Sequence, residues 1–441
     1  MILLTVGLGI FVTLYSMNKY KDKLCPLNIF VPFFTVCTFL GSLALYGKNQ
    51  GSTLTYVLIF LSILTYFISF EVLSKIHISK PKRTAGWENF EYTEVSKKFI
   101  YFLAIFSLAV NTSKFIKALP LLLSGLSLGE VRGEYLTGTV IVQSAMASFI
   151  DAGISSGALL ALMIVVSIEL IFDRKKDIVL FLLVFINVLV STFSTGGRLL
   201  IYDFAVLLVF SFFCYRSFFA GDTIANTVAE IRNNKKTRKT VVFMIAVGIA
   251  ALITITIERQ GQTESFMEAL YADFSCFVPL MSKTLEMVQN SGDLTLGISS
   301  FDGVIIIINI ILSLLRLPQI TGVNTINKYD AVFLNIGGSN YANAYVSYIF
   351  YFYLDGRVIG VILGNIFFGI MSAKIYQRLK REPGKRSVAM FLFLMYLIFR
   401  TMIRWSFNQA SVVIALVLLL IIYKRSDTSR KVITFKGHRL V

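Results

Sequence analysis

The 441 residues are 56% hydrophobic and 15% charged, with a mean hydropathy of +0.73, whereas soluble domains carry roughly 25% charged residues. That balance excludes an ordinary soluble enzyme and leaves an all-α polytopic membrane protein as the expected class. The formal charge of +17 does not point to a nucleic-acid partner, because the lysines and arginines sit in short clusters between apolar runs.

The first apolar run, Ile2 to Met17, has no basic residue before it and KYKDK after it. A cleavable signal has the reverse polarity, so a retained first span is expected. Hydropathy places ten more spans at 27–46, 54–74, 98–113, 154–172, 178–194, 198–216, 240–257, 357–376, 388–405 and 410–423, eleven in all. Basic clusters follow alternate spans: Lys19 to Lys23, Lys75 to Lys98, Arg174 to Lys176, Arg216 to Lys239, Lys374 to Arg386, and the tail. The positive-inside rule then puts the N-terminus outside and the C-terminus in the cytoplasm. The expected organisation is helices one to eight over 1–257, with an outer loop at 111–153. A large extracytoplasmic loop follows at 258–353, then three spans over 354–423 and a basic tail at 424–441. The stretch VIIIINIILSLL at 304–315 is short for a crossing and is expected to lie at the outer interface or pack within its loop. Cys25, Cys37, Cys214 and Cys276 show neither metal-ligand spacing nor a disulfide framework.

The segment STFSTGGRLLIYDF at 191–204 joins spans six and seven on the expected outer side. A helix starting there presents unpaired N–H groups and its positive dipole end, with Ser194 or Thr195 as candidate cap. Gly196 and Gly197 permit close approach to the backbone, and the planar guanidinium of Arg198 suits phosphate oxygens. This is a candidate anion site; the alternative is an arginine snorkelling to lipid headgroups. Tyr202, four residues on, shares the Arg198 face. Asp203 does not, and requires a partner or a polar cavity; Arg400 and Arg404 in FRTMIRW are the candidates, an Asp203–Arg404 pair being one possibility.

Further charge and aromatic residues lie in the outer segments: GEVRGEY with Arg132, Glu134 and Tyr135, ITIERQGQTES with Arg259 and Glu264, and YADF with Tyr271 and Asp273. Asp330 closes NKYD, and FYLDGRVIG carries Tyr353, Asp355 and Arg357. Rings beside carboxylates and arginines suit a sugar site, though interfacial tyrosines are common in any membrane protein. The two histidines, His77 and His438, fall in cytoplasmic segments, so no outer-side metal site or histidine base is expected.

Ten or more spans, STGGR heading a span, Arg259 opening a large outer loop and YLDGRVIG leading into a late span form a pattern. It resembles the Wzy-like oligosaccharide repeat-unit polymerases of bacteria, relatives of the O-antigen ligases. The resemblance implies a multi-pass glycosyltransferase of the bacterial inner membrane with a GT-C-like architecture, needing no cofactor. Its substrates would be polyprenyl-diphosphate-linked oligosaccharides at the outer leaflet, with a flippase and a chain-length regulator as partners. Carried over by position, Arg198 and Arg259 would clamp the donor diphosphate. The ligases' outer-loop histidine has no counterpart, which leaves Glu264, Asp273 or Glu134 to activate the acceptor hydroxyl. A flippase for lipid-linked glycans and a ligase with another acceptor are the competing readings.

Overall fold

The computed structural model describes residues 1–76, 94–126, 130–131, 145–172, 176–195, 197–219, 266–322, 325–338, 340–343 and 345–423. The protein is a predominantly helical membrane protein: seven helices among these residues are long and apolar enough to cross a bilayer. The first, α1 (Ile2–Tyr20), is followed by α2 (Pro26–Ser42), in which Pro26 opens the helix where no N–H partner is lost. Then come α3 (Thr53–Ile76), α4 (Glu94–Leu123), α5 (Ser156–Phe172), α6 (Ile178–Thr195) and α7 (Leu199–Phe219). A π-helical turn, Phe149–Ser155, leads into α5. Every residue from Gly157 to Glu169 in α5 is buried, as expected of a helix that is apolar all round. It packs against α4, α6 and α7 and forms the middle of the bundle. The expected span at 240–257 lies outside the described residues.

Helix α4 runs on for ten residues beyond the expected boundary at 113. Asn111 donates from Nδ2 to Asn187 Oδ1 at 2.7 Å, and Lys114 pairs with Asp151. Partners on neighbouring helices thus satisfy polar groups that hydropathy alone assigns to a loop.

From residue 266 the expected large loop is mostly helical: α8 (Phe266–Ser275), α9 (Phe277–Ser291), α10 (Ile298–Leu314) and α11 (Asn327–Asp330). Helix α10 covers the expected stretch from 304 to 314 and, at 17 residues, is not among the seven spanning helices. An antiparallel hairpin, β1 (Leu334–Gly337) and β2 (Asn340–Ala342), follows. It docks on the turn between α2 and α3: the Asn49 N–H donates to Ile336 O at 2.6 Å, and Asn340 Nδ2 to Tyr46 O at 3.1 Å.

The long element α12 (Ser347–Arg381) is broken at Gly356 and Arg357, the latter with φ 54° and ψ −137°. Its two parts fold against each other. Tyr348 Oη donates to Asn365 Oδ1 at 2.7 Å, whereas 17 residues of straight helix would separate them by about 25 Å. A Cβ on Gly364 would sit 2.3 Å from the Phe352 ring, which shows how closely the arms approach. Asn365 also donates to Ser62 Oγ at 3.1 Å, nine residues into α3. Residues 347–355 are therefore a re-entrant half-helix reaching the middle height of the bundle, and all nine are buried. A helix that starts at such depth is tolerated where protein satisfies its backbone, and here the N–H groups of Val346 and Tyr348 donate to Ile403 O and Thr401 O. Helix α13 (Lys385–Arg400), an irregular stretch through Trp405 and α14 (Ala410–Ile422) complete the bundle.

The contacts sort the connections into two ends. At one, Lys19 and Tyr20 bond Glu71, Lys380 and Tyr376 bond Asp22, and Tyr101 and Lys97 bond Asp177. At the other lie the α2–α3 turn, the α6–α7 turn, α8 to α11 and the re-entrant half-helix. This second end carries the candidate site.

Candidate functional site at the capped end of the bundle

The α6–α7 turn is built differently from the expected cap. Ser194 and Thr195 turn their hydroxyls back to Ser191 O, at 3.0 and 2.9 Å, so neither caps α7. The Gly197 N–H donates to Thr192 O at 3.2 Å, closing α6, so this amide is not free for a ligand. Arg198 itself opens α7: its carbonyl accepts from the N–H groups of Ile201 and Tyr202. Gly196 lies outside the described residues, as do Arg132, Glu134, Tyr135, Arg259 and Glu264.

The guanidinium of Arg198 donates from Nη2 to Asp273 Oδ1 at 2.6 Å, with side-chain exposures of 11% and 20%. Burial opposes the arginine's charge, but the Asp273 carboxylate outweighs it and holds the group more basic than usual. Asp273 arrives on α8, which packs on α2. Two residues earlier, Tyr271 donates to Leu40 O at 2.7 Å and accepts from the Leu45 N–H at 3.1 Å, so its hydroxyl anchors α8 to the end of α2.

Asp203 finds its partner in Arg400, not Arg404. Arg400 donates from Nε to Oδ1 at 3.0 Å and from Nη2 to Oδ2, a two-pronged pair, which is the geometry that favours arginine over lysine. Because α13 ends at Arg400, the four-residue spacing no longer keeps both guanidinia on one helical face. Arg404 instead lies 3.9 Å from Asp330, which also accepts from Tyr351 Oη at 3.0 Å. Arg198 opens α7 and Asp203 lies in its first turns, so Asp273 and Arg400 both meet the same end of that helix. Tyr202, in the same turns, is 36% exposed.

The chain matches no family model, no curated protein and no solved structure.

Tyr353, Asp355 and Arg357 serve the helix break. Asp355 accepts from Thr295 Oγ1 (2.6 Å), the Ser299 N–H (2.9 Å), Ser299 Oγ (3.0 Å) and the Ser300 N–H (3.0 Å). It thereby caps the first turn of α10 from another element, satisfying donors that a helix start leaves open. Arg357 donates to Val288 O at 3.3 Å and stacks 5.3 Å from the Tyr353 ring centre.

Two residues that sequence reasoning passed over belong to this end. Asp302, 7% exposed, lies within electrostatic range of Asp330 and Asp355, and its Oδ1 meets no hydrogen-bond donor. Lys48, 7% exposed, sits over the rings of Tyr46 and Tyr271. One signal existed for Lys48: a lone lysine in a short turn on the side that the charge rule reserves for few cations.

Proposed function

We propose that this protein is a membrane glycosyltransferase that joins polyprenyl-diphosphate-linked oligosaccharide repeat units at the outer leaflet of the bacterial cell membrane. The observation that carries the reading is Arg198, held in a shielded ion pair with Asp273 at the start of the helix whose Asp203 binds Arg400. In the proposed reaction, an acceptor hydroxyl attacks the anomeric carbon of the donor glycan. The bond to the diphosphate oxygen breaks, and its electron pair leaves with the diphosphate. Negative charge grows on the leaving group, so cations fixed beforehand in a water-poor site stabilise the transition state most. Arg198 would hold that diphosphate together with Arg259, and Asp273, already at the guanidinium, is the best-placed described carboxylate for the acceptor proton. The reading carries eleven crossings, a GT-C-like arrangement with the capped end outside, no cofactor or metal, and a flippase and chain-length regulator as working partners.

Removal of one such transition-state donor typically costs about 2.7–4 kcal/mol in barrier. Arg198→Ala and Arg198→Lys are expected to abolish polymer in a complemented deletion strain while the protein still inserts at normal abundance. Gel analysis of surface polysaccharide reads this directly. Single repeats should accumulate outside the membrane; their retention inside would instead favour a flippase. A normal length distribution from either variant removes Arg198 from the mechanism.

A further inference from the structure

We propose, independently of the reaction above, that α10 and the segment returning through Ile320 form an apolar hairpin, pinned by Asn309 and immersed in lipid. It lies in the leaflet at the capped end of the bundle, with acyl chains against its open face. Residues 304–322 read VIIIINIILSLLRLPQITG, with Arg316 as their single charge. None of them is buried, and Ile308, Ile311, Leu314, Leu315, Leu317 and Ile320 are exposed, Leu314 by 67%. Water-facing surfaces rarely carry so continuous an apolar patch; such patches mark contact with a membrane or a partner. The surroundings select the membrane. At the root of the hairpin the Phe301 ring stands 6.1 Å from that of Phe367 on α12, centre to centre. Phe367 continues the exposed apolar stripe of Ile359 and Leu363, spaced by four on one face of a helix long enough to span the bilayer. It lies ten residues past the break at Arg357, about 15 Å along the helix, so the root meets α12 below its capped end. Helix α10 also packs against α14, and a Cβ on Gly303 would stand 2.5 Å from the Gln409 carbonyl that leads into α14. The open face of α10 is thus continuous with a stripe that only the bilayer can cover.

The returning backbone is paired back onto α10, as a segment away from water requires. The N–H groups of Leu315, Arg316 and Leu317 donate to Ile311 O (3.0 Å), Ser313 O (3.1 Å) and Leu312 O (2.8 Å). Arg316 takes left-handed backbone, φ 57°, and so closes the helix in a Schellman turn. Pro318 has no N–H to satisfy. Asn309, the lone amide in the isoleucine run, then pairs with the backbone of Ile320. Its Oδ1 accepts from the Ile320 N–H at 2.8 Å, and its Nδ2 donates to Ile320 O at 3.1 Å. An exposed peptide group in water has no need of such a partner; one in hydrocarbon does. The chain regains its root at Gly322, where a Cβ would lie 3.4 Å from Ile298 Cδ1. Arg316, at the tip, has the long stem that lets a cation keep its head among headgroup phosphates while its carbons cover apolar surface.

The test reads immersion, not turnover. Full-length protein carrying one NBD-labelled cysteine at a time is placed in phosphatidylcholine nanodiscs and quenched with aqueous iodide or with doxyl-labelled lipid. Leu363→Cys sets the lipid reference and Asn49→Cys the water reference. Ile311→Cys and Leu315→Cys are expected to be quenched by doxyl lipid as strongly as Leu363→Cys, and by iodide far less than Asn49→Cys. Iodide quenching equal to that of Asn49→Cys puts the hairpin in water and overturns the proposal. Protection from both quenchers means that another part of this chain, or a second copy, covers the face, and overturns it equally. Asn309→Ala leaves both backbone groups of Ile320 unpaired, so a label at Ile320→Cys in that background is expected to lose doxyl quenching and gain iodide quenching. An unaltered Leu363→Cys signal in the same background shows that the bundle remains intact. With the bundle intact, unchanged quenching at Ile320→Cys overturns the pinning role of Asn309.

Discussion

Asp302 shows how a single buried carboxyl reports on its surroundings. Burial, with the charges of Asp330 and Asp355 behind it, pushes this group up to about 7. The other charged or titratable groups around it are Arg404, beside Asp330, and Tyr351, bonded to Asp330; α14 brings none. A carboxyl raised in the folded state favours folding when protonated in both states, and that benefit is lost as pH rises from about 4 through 7. Asp302→Asn cannot lose a proton, so its melting temperature is expected to vary less between pH 5 and 8 and to exceed wild type at pH 8. Thermal unfolding at the two pH values checks this; equal slopes in both proteins would refute it. Residues of this kind were the least legible in the sequence. Asp302 in FDG reads as a loop residue before an apolar run, and only tertiary packing shows that it is buried beside two other carboxylates. Arg198 was legible because glycines and a helix start frame it, whereas its partner Asp273 is 75 residues away, among several candidates of equal appearance.

At the scale of elements, hydropathy found the long apolar helices and misjudged those whose ends are polar. The run SYIFYFYL is too short to cross a membrane, and the DGR after it marks 357 as the start of a span. Both observations are sound, yet the fold-back of 347–355 onto 358–365 depends on small residues facing Phe352, a pairing that no single-helix pattern displays. Gly364 is the position where this can be tested. A methyl group there would lie 2.3 Å from Phe352 Cγ, and overpacking of this kind costs about 1–3 kcal/mol. Gly364→Ala is expected to lower the melting temperature, and Phe352→Leu to restore part of it when combined. An unchanged melting temperature in Gly364→Ala would mean that the two arms are not in contact.

Over the whole molecule, the alternation of basic clusters predicted which connections share a side, and the described contacts agree on that grouping. Lys19, Asp177 and Lys380 fall at one end, the turn at 43–52 and residues 197–198 at the other. Charge counting sums over many residues, so no single misplacement decides the grouping. The four native cysteines are buried, which makes accessibility labelling clean. An impermeant maleimide added to intact cells is expected to label Asn49→Cys and to reach Lys23→Cys only after lysis. Labelling of Lys23→Cys in intact cells, with Asn49→Cys protected, would invert the molecule and place the arginines at the cytoplasmic face.

The bond between Arg198 and Asp273 has a consequence for discrimination among ligands. Any visitor to the guanidinium competes with a resident carboxylate that is already tethered and partly dehydrated. Under the proposed reaction, a monoanion such as bicarbonate or acetate would offer nothing that the aspartate does not, and only a guest of higher valence would gain from the exchange, so the acidic side chain beside the arginine would act as a threshold that sorts anions by charge.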